Sequence, residues 1–311
     1  MLPEGSSVRP PADMKNAGMT ILSLIDRRDA TDRRMSIFWA AIPACFLSMV
    51  VFTILSYIRA AFDLYGHGWD EWVSDVYIAS YLVGLPLFGI LFGLMTYKMI
   101  NRLNMHTNRE DTLRAAVMSY LRGAAGSAGK EQQIVTELLQ MSAFDGQAVT
   151  YEKKHNPRTW ALGIALLLMG YPVYALFALF LHSTMDGAFA VFMLISLLAS
   201  LTQILSLIAS AYIVNSMMRT AYTHDVRWRG FTTSTMLALH RLGKTDSNMW
   251  RHAPVKDRSM ILYVIFAIVT AGFFLFYWFY VLVDDTNKHF KQQHLFEDML
   301  KKIVLADMKT A

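Results

Sequence analysis

Five long apolar runs, separated by polar stretches, dominate the pattern of the chain. Each run is at least 22 residues long, and none of them contains Asp, Glu, Lys or Arg. About 20 helical residues cross a hydrocarbon core of roughly 30 Å, and a helix satisfies its own backbone hydrogen bonds there. The pattern therefore predicts an all-α fold, a polytopic integral membrane bundle of about five transmembrane helices, with spans at Ser36–Ile58, Val76–Tyr97, Trp160–Leu181, Ala188–Val214 and Met260–Val283.

The basic residues are distributed unevenly between these runs. Lys and Arg number six before the first run, then one, nine, none and eight in the four connections, and five after the last run. Short loops rich in Lys and Arg stay on the cytoplasmic side, so the counts predict a multi-pass protein of the cell (plasma or inner) membrane with a cytoplasmic N-terminus. The predicted divisions are a cytoplasmic segment 1–35, a first transmembrane pair 36–97, a cytoplasmic helical region 98–159, a second pair 160–214, a cytoplasmic segment 215–259, a fifth transmembrane helix 260–283 and an amphipathic tail 284–311.

Two of the runs end in a similar motif. Tyr97 is followed after six residues by Asn104-Met105-His106, and Tyr280 is followed after six residues by Asn287-Lys288-His289. Aromatic residues at the ends of spans are typical of membrane interfaces. We interpret the motif as a duplicated unit of membrane segment and aromatic exit, with six interfacial residues: Tyr97, Asn104, His106, Tyr280, Asn287 and His289.

The motif and the span count disagree about the C-terminal tail. A fifth simple crossing places 284–311 outside, whereas the copied motif places it with His106, inside. A break at Thr270-Ala271-Gly272 would reconcile the two through a re-entrant hairpin. Each half of the run would then hold only about 11 residues, too few to cross at about 1.5 Å each, and the break would leave backbone carbonyls to be satisfied. We therefore predict a continuous fifth helix and an external tail.

Two of the polar stretches carry apolar residues at helical spacing. They predict amphipathic interfacial helices, which either lie on the membrane surface or a partner or fold back on the protein's own surface. The two stripes are Leu113, Val117, Tyr120 and Leu121 in one stretch, and Phe296, Met299, Leu300, Ile303 and Val304 in the other.

Composition narrows the classes of partner. Hydrophobic residues make up 54 % of the chain and charged residues 17 %, below the roughly 25 % charged residues of soluble domains. The net charge of +5 lies in loops beside apolar runs, so topology and anionic lipid head groups explain it better than nucleic acid. The single cysteine, Cys45, allows neither a disulfide framework nor a thiolate metal site.

The histidines offer little recognisable chemistry. All nine lie outside the apolar runs, so a haem between the spans has no axial ligand. His294 and Asp298 have the i, i+4 spacing of two ligands on one helix face, but this spacing is common in charged helices. No catalytic triad, carboxylate pair or Cys–His pair is recognisable. We predict no metal, no other cofactor and no enzymatic activity.

Within the runs, three residues indicate helix packing. Gly89 and Gly93 form a small-xxx-small motif that lets two helices approach closely. Gln203 is the most polar side chain at membrane depth and should face another helix. Its side chain could line a transport pathway or stabilise helix packing through a hydrogen bond, and we favour the second role.

One segment carries a family resemblance. Thr270–Tyr280, followed by Asn287-Lys288-His289-Phe290, resembles the T-x-G, Y-W-x-Y and N-x-H-F signature of a family of small prokaryotic membrane proteins of unknown function. The match covers about 30 of the 311 residues. The resemblance implies a prokaryotic membrane setting and carries over no catalytic residue.

Two classes of function fit these observations. The first is a non-enzymatic membrane scaffold or accessory subunit, favoured because the spans contain no charge and the polar stretches predict docking helices. The alternative is a small channel or transporter, since repeated helix pairs are common in transporters, although coupled transporters keep ionisable residues at membrane depth. The expected partners are the lipid bilayer and other membrane proteins or further copies of the chain, with no nucleic acid.

Overall fold

The computed structural model describes residues 11–47, 83–151, 154–184, 189–246 and 253–310. The described residues form helices joined by turns and contain no strand, so the all-α prediction is confirmed. The elements are α1 (Pro11–Asp26), α2 (Arg28–Thr31), a 3-10 helix (Ile37–Ala41), α3 (Leu85–Ala128), α4 (Glu131–Tyr151), α5 (Pro157–Thr184), α6 (Phe189–Arg241), α7 (Met260–Val269) and α8 (Phe274–Thr310).

Three long helices, α3, α6 and α8, run through two separate hydrophobic cores. The first core surrounds Leu113, Trp228 and Phe296 and also takes in α1 and α4. The predicted amphipathic stripes lie here: Leu113 and Phe296 are both buried, so these helices fold on the protein itself. Most residues on the outside of this part are polar, and we call it the polar-faced half.

The second core surrounds Phe92, Ile164 and Trp278 and takes in the 3-10 helix, α5 and α7. Its outside is different, because large apolar side chains such as Leu166 and Ile208 point away from the protein. We call it the apolar-faced half. By length and hydropathy, one described segment, Ile204–Arg241, could cross a membrane. The end of the first predicted span and the beginning of the second lie outside the described residues.

The prediction of a continuous fifth helix is wrong. Helix α7 ends at Val269, a turn follows, and α8 begins at Phe274. Gly272 has a φ of 91°, in the left-handed region that glycine adopts without strain, and its N–H donates to the carbonyl of Ala267 at 2.7 Å. The Thr270 hydroxyl donates to the Phe266 carbonyl at 2.7 Å and accepts the N–H of Phe274 at 2.9 Å. The break therefore satisfies the groups that it frees.

Helices α7 and α8 form an antiparallel hairpin. The ring of Tyr263 meets those of Phe274 and Trp278 edge to face, with centroids 5.1 and 5.4 Å apart. Below them, Arg258 donates two hydrogen bonds, of 3.0 and 3.1 Å, to Asp285. The length argument against a hairpin failed because the second half of the run does not stop at Val283 but continues as α8 to Thr310.

The hairpin brings the tail beside stretches that were predicted to lie on the opposite side of the membrane. The second half of α8 packs against α1 and α3, with Val304 and Leu300 in the same core as Ile21 and Leu113. The tail, the N-terminal helix and the 98–159 stretch therefore lie together. This is the grouping that the copied motif predicts, and the side of a membrane on which the group lies stays a prediction.

Gly89 and Gly93 lie where α3 packs against α5. A Cβ at Gly93 would stand 2.9 Å from the Ala161 carbonyl oxygen, and one at Gly89 would stand 3.0 Å from Leu168 Cβ. A side chain at Gly93 would therefore force α3 and α5 apart, and one at Gly89 would press tightly on Leu168. Gln203 is in α6, and its side chain lies outside the described part of the structure.

Candidate metal centre

Four buried side chains converge where the polar-faced half meets the apolar-faced half. His106 and Glu110 come from α3, one turn apart on the same helix face, His224 comes from α6, and His289 comes from α8. Their side chains are at most 3 % exposed. Each offers one ligand atom, and these four atoms all lie within 4.8 Å of one another.

The separations within this His3Glu cluster are close to those of a coordination shell. Glu110 Oε2 lies 2.8 Å from His224 Nε2 and 3.3 Å from His106 Nε2, and these two nitrogens lie 3.2 Å apart. In a tetrahedral zinc site with Zn–N bonds of about 2.0–2.1 Å, neighbouring ligand atoms are about 3.3 Å apart. The His289 ring stands at the same centre, its centroid 4.8 Å from that of His224 and 5.4 Å from that of His106.

Two of the imidazoles are oriented by carboxylates behind them. The Nδ1–H of His106 donates to Asp32 at 2.9 Å, and the Nδ1–H of His289 donates to Asp225 at 2.8 Å. In the neutral imidazole this bond leaves Nε2 with a lone pair. For His106, Nε2 lies 3.3 Å from Glu110 Oε2. Carboxylate–histidine–metal arrangements of this kind fix the tautomer and raise the basicity of metal-ligating histidines.

The helices and turns fix the two outer carboxylates. Asp32 is the C-cap residue of the short helix α2, and its own N–H donates to the Arg28 carbonyl. It also accepts from Arg109 at 2.6 Å. Asp225 directly follows His224 in α6 and accepts the Val255 N–H at 3.0 Å. Chain segments that are distant in sequence thus hold both orienting groups in place.

The electrostatic environment keeps the central carboxylate ionised. Burial alone raises the pKa of Glu110, but His224, His106 and Arg114 hold that pKa well below its ordinary value. Arg114 also binds Asp111 at 2.7 Å and Asp145 at 3.0 Å. Glu110 is therefore an anion, which is the state that a metal ligand needs.

The same environment keeps His289 neutral. Burial lowers the pKa of His289 to about 4, against the opposing effect of Asp225. Its imidazole therefore carries no charge at neutral pH and can present Nε2 to a cation. A second buried network, in which Arg109 bridges Asp32 and Glu297 at 2.6 and 2.8 Å, closes the polar-faced side of the cluster.

The three histidines lie on three different long helices, each of which takes part in both hydrophobic cores. His106 and His289 share the predicted motif, in which each follows a tyrosine by nine residues, whereas Asn215 stands nine residues before His224. The structure therefore brings the two histidines of the predicted duplication together with a third that is outside the motif.

Polar side chains beside the three histidines fix the segments that precede other helices. Asn104, two residues before His106, donates to the His155 carbonyl at 2.8 Å, just before α5. Asn287, two residues before His289, donates to the Met35 carbonyl at 2.8 Å, just before the 3-10 helix. Asp225, one residue after His224, accepts the N–H of Val255, five residues before α7. Residues of α3, α6 and α8 near the His3Glu cluster thus hold the chain segments that lead into α5, α7 and the 3-10 helix.

The predicted interfacial residues fall into two groups. Tyr97 and Tyr280 are partly exposed. His106 and His289, by contrast, are buried in the protein and hydrogen-bonded to carboxylates, and Asn104 and Asn287 bind backbone groups, as described above. His294 and Asp298 are not paired with each other: His294 contacts Asp32 at 3.2 Å, and Asp298 accepts from Arg28 at 2.6 Å.

Sequence analysis did not identify the cluster, although it singled out two of its histidines. His106 and Glu110 have the i, i+4 spacing of two ligands on one helix face, and this local signal was overlooked. Asp32, His224 and Asp225 carried no such signal, because they are more than 60 residues away in sequence from the cluster residues that they contact. Comparisons with models of protein families, with curated proteins and with solved structures find no match to this chain.

Proposed function

We propose that this chain is a non-enzymatic, multi-pass membrane protein in which a divalent transition-metal ion joins the three long helices α3, α6 and α8. The ion is held by His106, Glu110, His224 and His289, and the observation that carries the proposal is their convergence within 4.8 Å. At least one ligand comes from each of the three helices, so a bound ion ties them together. The role is that of a scaffold or accessory subunit.

The burial of the cluster favours a structural ion. Structural zinc sites have four protein ligands and are closed, whereas catalytic sites keep one position for water or substrate. Here four protein groups are available, and their side chains are at most 3 % exposed. Imidazole and carboxylate ligands suit Zn²⁺ among the abundant divalent ions. When bound, the ion neutralises the Glu110 charge and holds α3, α6 and α8 in register.

The apolar-faced half supports the membrane location. Exposed apolar patches larger than a few hundred Å² are rare in soluble monomers. Here large exposed apolar side chains extend over four helices. Representative exposed side chains are Leu87, Ile90 and Leu94 on α3, Leu162 and Leu166 on α5, Leu201, Ile204 and Ile208 on α6, and Ile261, Ile265 and Ile268 on α7.

The first experiment measures location and metal content in the full chain. We expect the protein to stay in the membrane fraction after carbonate extraction. After purification in detergent, elemental analysis by inductively coupled plasma mass spectrometry should find about one zinc ion per chain. His106→Ala, His224→Ala and His289→Ala should each lose most of it, because removing one ligand from a four-ligand site leaves an incomplete shell.

The matched control is His240→Ala. His240 is exposed, contacts the Thr245 carbonyl at 3.0 Å, and lies on the same helix as His224. Its variant should keep the wild-type metal content. If wild-type protein holds no metal and does not bind added Zn²⁺, the cluster is a metal-free hydrogen-bond network and the proposed function fails. Release by carbonate would refute the membrane location separately.

A further inference from the structure

A cleft opens on the outside of α6, beside the metal cluster. It has a volume of about 490 Å³ and includes Tyr212, Asn215, Arg219, Tyr222 and Arg227. Ligand pockets commonly have volumes of about 300–1,000 Å³. The cleft is thus large enough for a phosphate-bearing head group.

The charged side chains that line this cleft are all positive. The lining contains two arginines, Arg219 and Arg227, together with tyrosine, serine, threonine and amide side chains, and no carboxylate among the described lining residues. Arg219 is exposed at the mouth, whereas Arg227 is buried. Planar guanidinium groups match phosphate oxygens in geometry and charge. Arg227 also interacts electrostatically with Glu110 and Asp111 inside the protein, so Arg219 is the positive charge that an anion meets first at the mouth of the cleft.

The cleft continues into an exposed apolar stripe on the same face of α6. Residues at helical spacing change along this face from Leu201, Leu205 and Ile208, through Tyr212, to Arg219. The side chains of the three aliphatic residues are largely exposed. A ligand that fills both parts must have long apolar chains and an anionic end.

We infer that this cleft binds one anionic glycerophospholipid, with its phosphate at Arg219 and Arg227 and its acyl chains along Leu201–Tyr212 of α6. The inference rests on the proposed membrane location. Arg219 provides the exposed charge that attracts the head group. Arg227 lies three residues after His224, so an occupied cleft stands directly beside a helix that provides a metal ligand.

The test uses native mass spectrometry of the full chain in detergent, with phosphatidylglycerol and phosphatidylcholine of the same acyl composition. Wild-type protein should retain one phosphatidylglycerol in preference to phosphatidylcholine. Arg219→Gln should weaken this binding about fivefold, the effect of one basic residue near an anionic lipid surface. Because Arg219 is exposed, its replacement should not disturb the core.

Two further variants separate specific binding from general charge effects. Arg122→Gln removes the same charge from an exposed position of α3 and should leave lipid binding unchanged. Arg227→Lys keeps the charge but loses the guanidinium fork, and should weaken binding as well. Equal lipid retention by wild type, Arg219→Gln and Arg122→Gln would overturn the inference. Displacement of the lipid by inorganic phosphate, but not by chloride at equal ionic strength, would assign the cleft to free phosphate instead and also overturn it.

The same samples distinguish this inference from the proposed metal site. Zinc content measured alongside lipid retention should be equal in wild type and Arg219→Gln. Normal zinc with no lipid preference refutes the lipid site alone. A lipid preference without zinc refutes the metal site alone.

Discussion

The two halves of this molecule share the same three long helices and differ mainly on their outer surfaces. The polar-faced half buries Trp228 and Phe296, and the apolar-faced half buries Phe92 and Trp278, so their interiors are much alike. Outside, the polar-faced half is covered by ion pairs such as Lys301 with Asp26 at 2.7 Å. The apolar-faced half has exposed aliphatic side chains instead. The solvent around each half is therefore reflected in the residues of its outer surface and not in the residues of its hydrophobic core.

The boundary between the halves differs from both. There the interior contains ionised groups, among them Asp32, Arg109, Glu110 and Arg114, all buried. Removing such charges from water costs several kcal/mol each unless partners replace the solvent. The partners come from α2, α3, α6 and α8 together, so the network forms only when both halves are assembled. This explains why the candidate metal cluster lies at this level of the bundle.

The largest effect should follow the loss of the central carboxylate. Glu110→Gln removes the anionic ligand and leaves Arg114 and the histidines without their shared partner. Removing one member of a buried charge network costs about 3–5 kcal/mol. We expect the melting temperature of Glu110→Gln, measured by circular dichroism, to be much lower than that of the wild type. A chelator should lower the melting temperature of the wild type and leave that of the variant unchanged.

Glu131→Gln is the matched control for this change. Glu131 is exposed in the first turn of α4, away from the cluster. Its variant should melt as the wild type does and remain sensitive to the chelator. If a chelator lowers the melting temperatures of wild type and Glu110→Gln equally, a metal at the cluster does not help to join the two halves.

The next effect tests the surfaces with one pair of leucines. Leu166 on α5 in the apolar-faced half and Leu139 on α4 in the polar-faced half are 60 % and 59 % exposed. Leu166→Arg should lower the stability of the membrane-inserted protein by about 3 kcal/mol if lipid surrounds this position. Leu139→Arg should change the stability by no more than about 0.5 kcal/mol, because a substitution on a water-exposed surface has little effect. The measurement is the yield of folded protein in the membrane fraction. Similar yields for both variants would mean that the two surfaces face the same solvent.

Much of the helical content was predictable, because apolar runs and amphipathic stripes are local signals. Leu113 and Phe296 were correctly placed on packed helix faces for this reason. The hairpin was missed because length was judged within the run alone, although Gly272 marked the turn. The cluster depends on contacts between His106, His224 and His289, and a local sequence pattern does not indicate which helices will pack together.

A smaller effect should come from the carboxylates behind the imidazoles. Asp225→Asn weakens the acceptor of the His289 Nδ1–H, so the imidazole becomes less basic and less well oriented. Changes of this kind cost about 10–100-fold in metal affinity. Competition with a chromogenic chelator measures the affinity. Asp246→Asn, at an exposed position after α6, is the control and should leave the affinity unchanged. An Asp225→Asn variant with wild-type affinity would show that Asp225 does not support the ion.

The smallest effect compares two glycines of the apolar-faced half. In Gly93→Ala the new Cβ would stand 2.9 Å from the Ala161 carbonyl oxygen, so α3 and α5 must separate slightly. Such overpacking costs about 1–3 kcal/mol. Gly163, on α5, has nothing within 4 Å of its Cβ position, and Gly163→Ala should gain roughly 0.5–1 kcal/mol from the lower entropy of the unfolded chain. Thermal melting of both variants should therefore shift in opposite directions, while zinc content stays at the wild-type value. Zinc loss in Gly93→Ala would show instead that packing in the apolar-faced half controls the cluster, and that the two halves are less independent than their separate cores indicate.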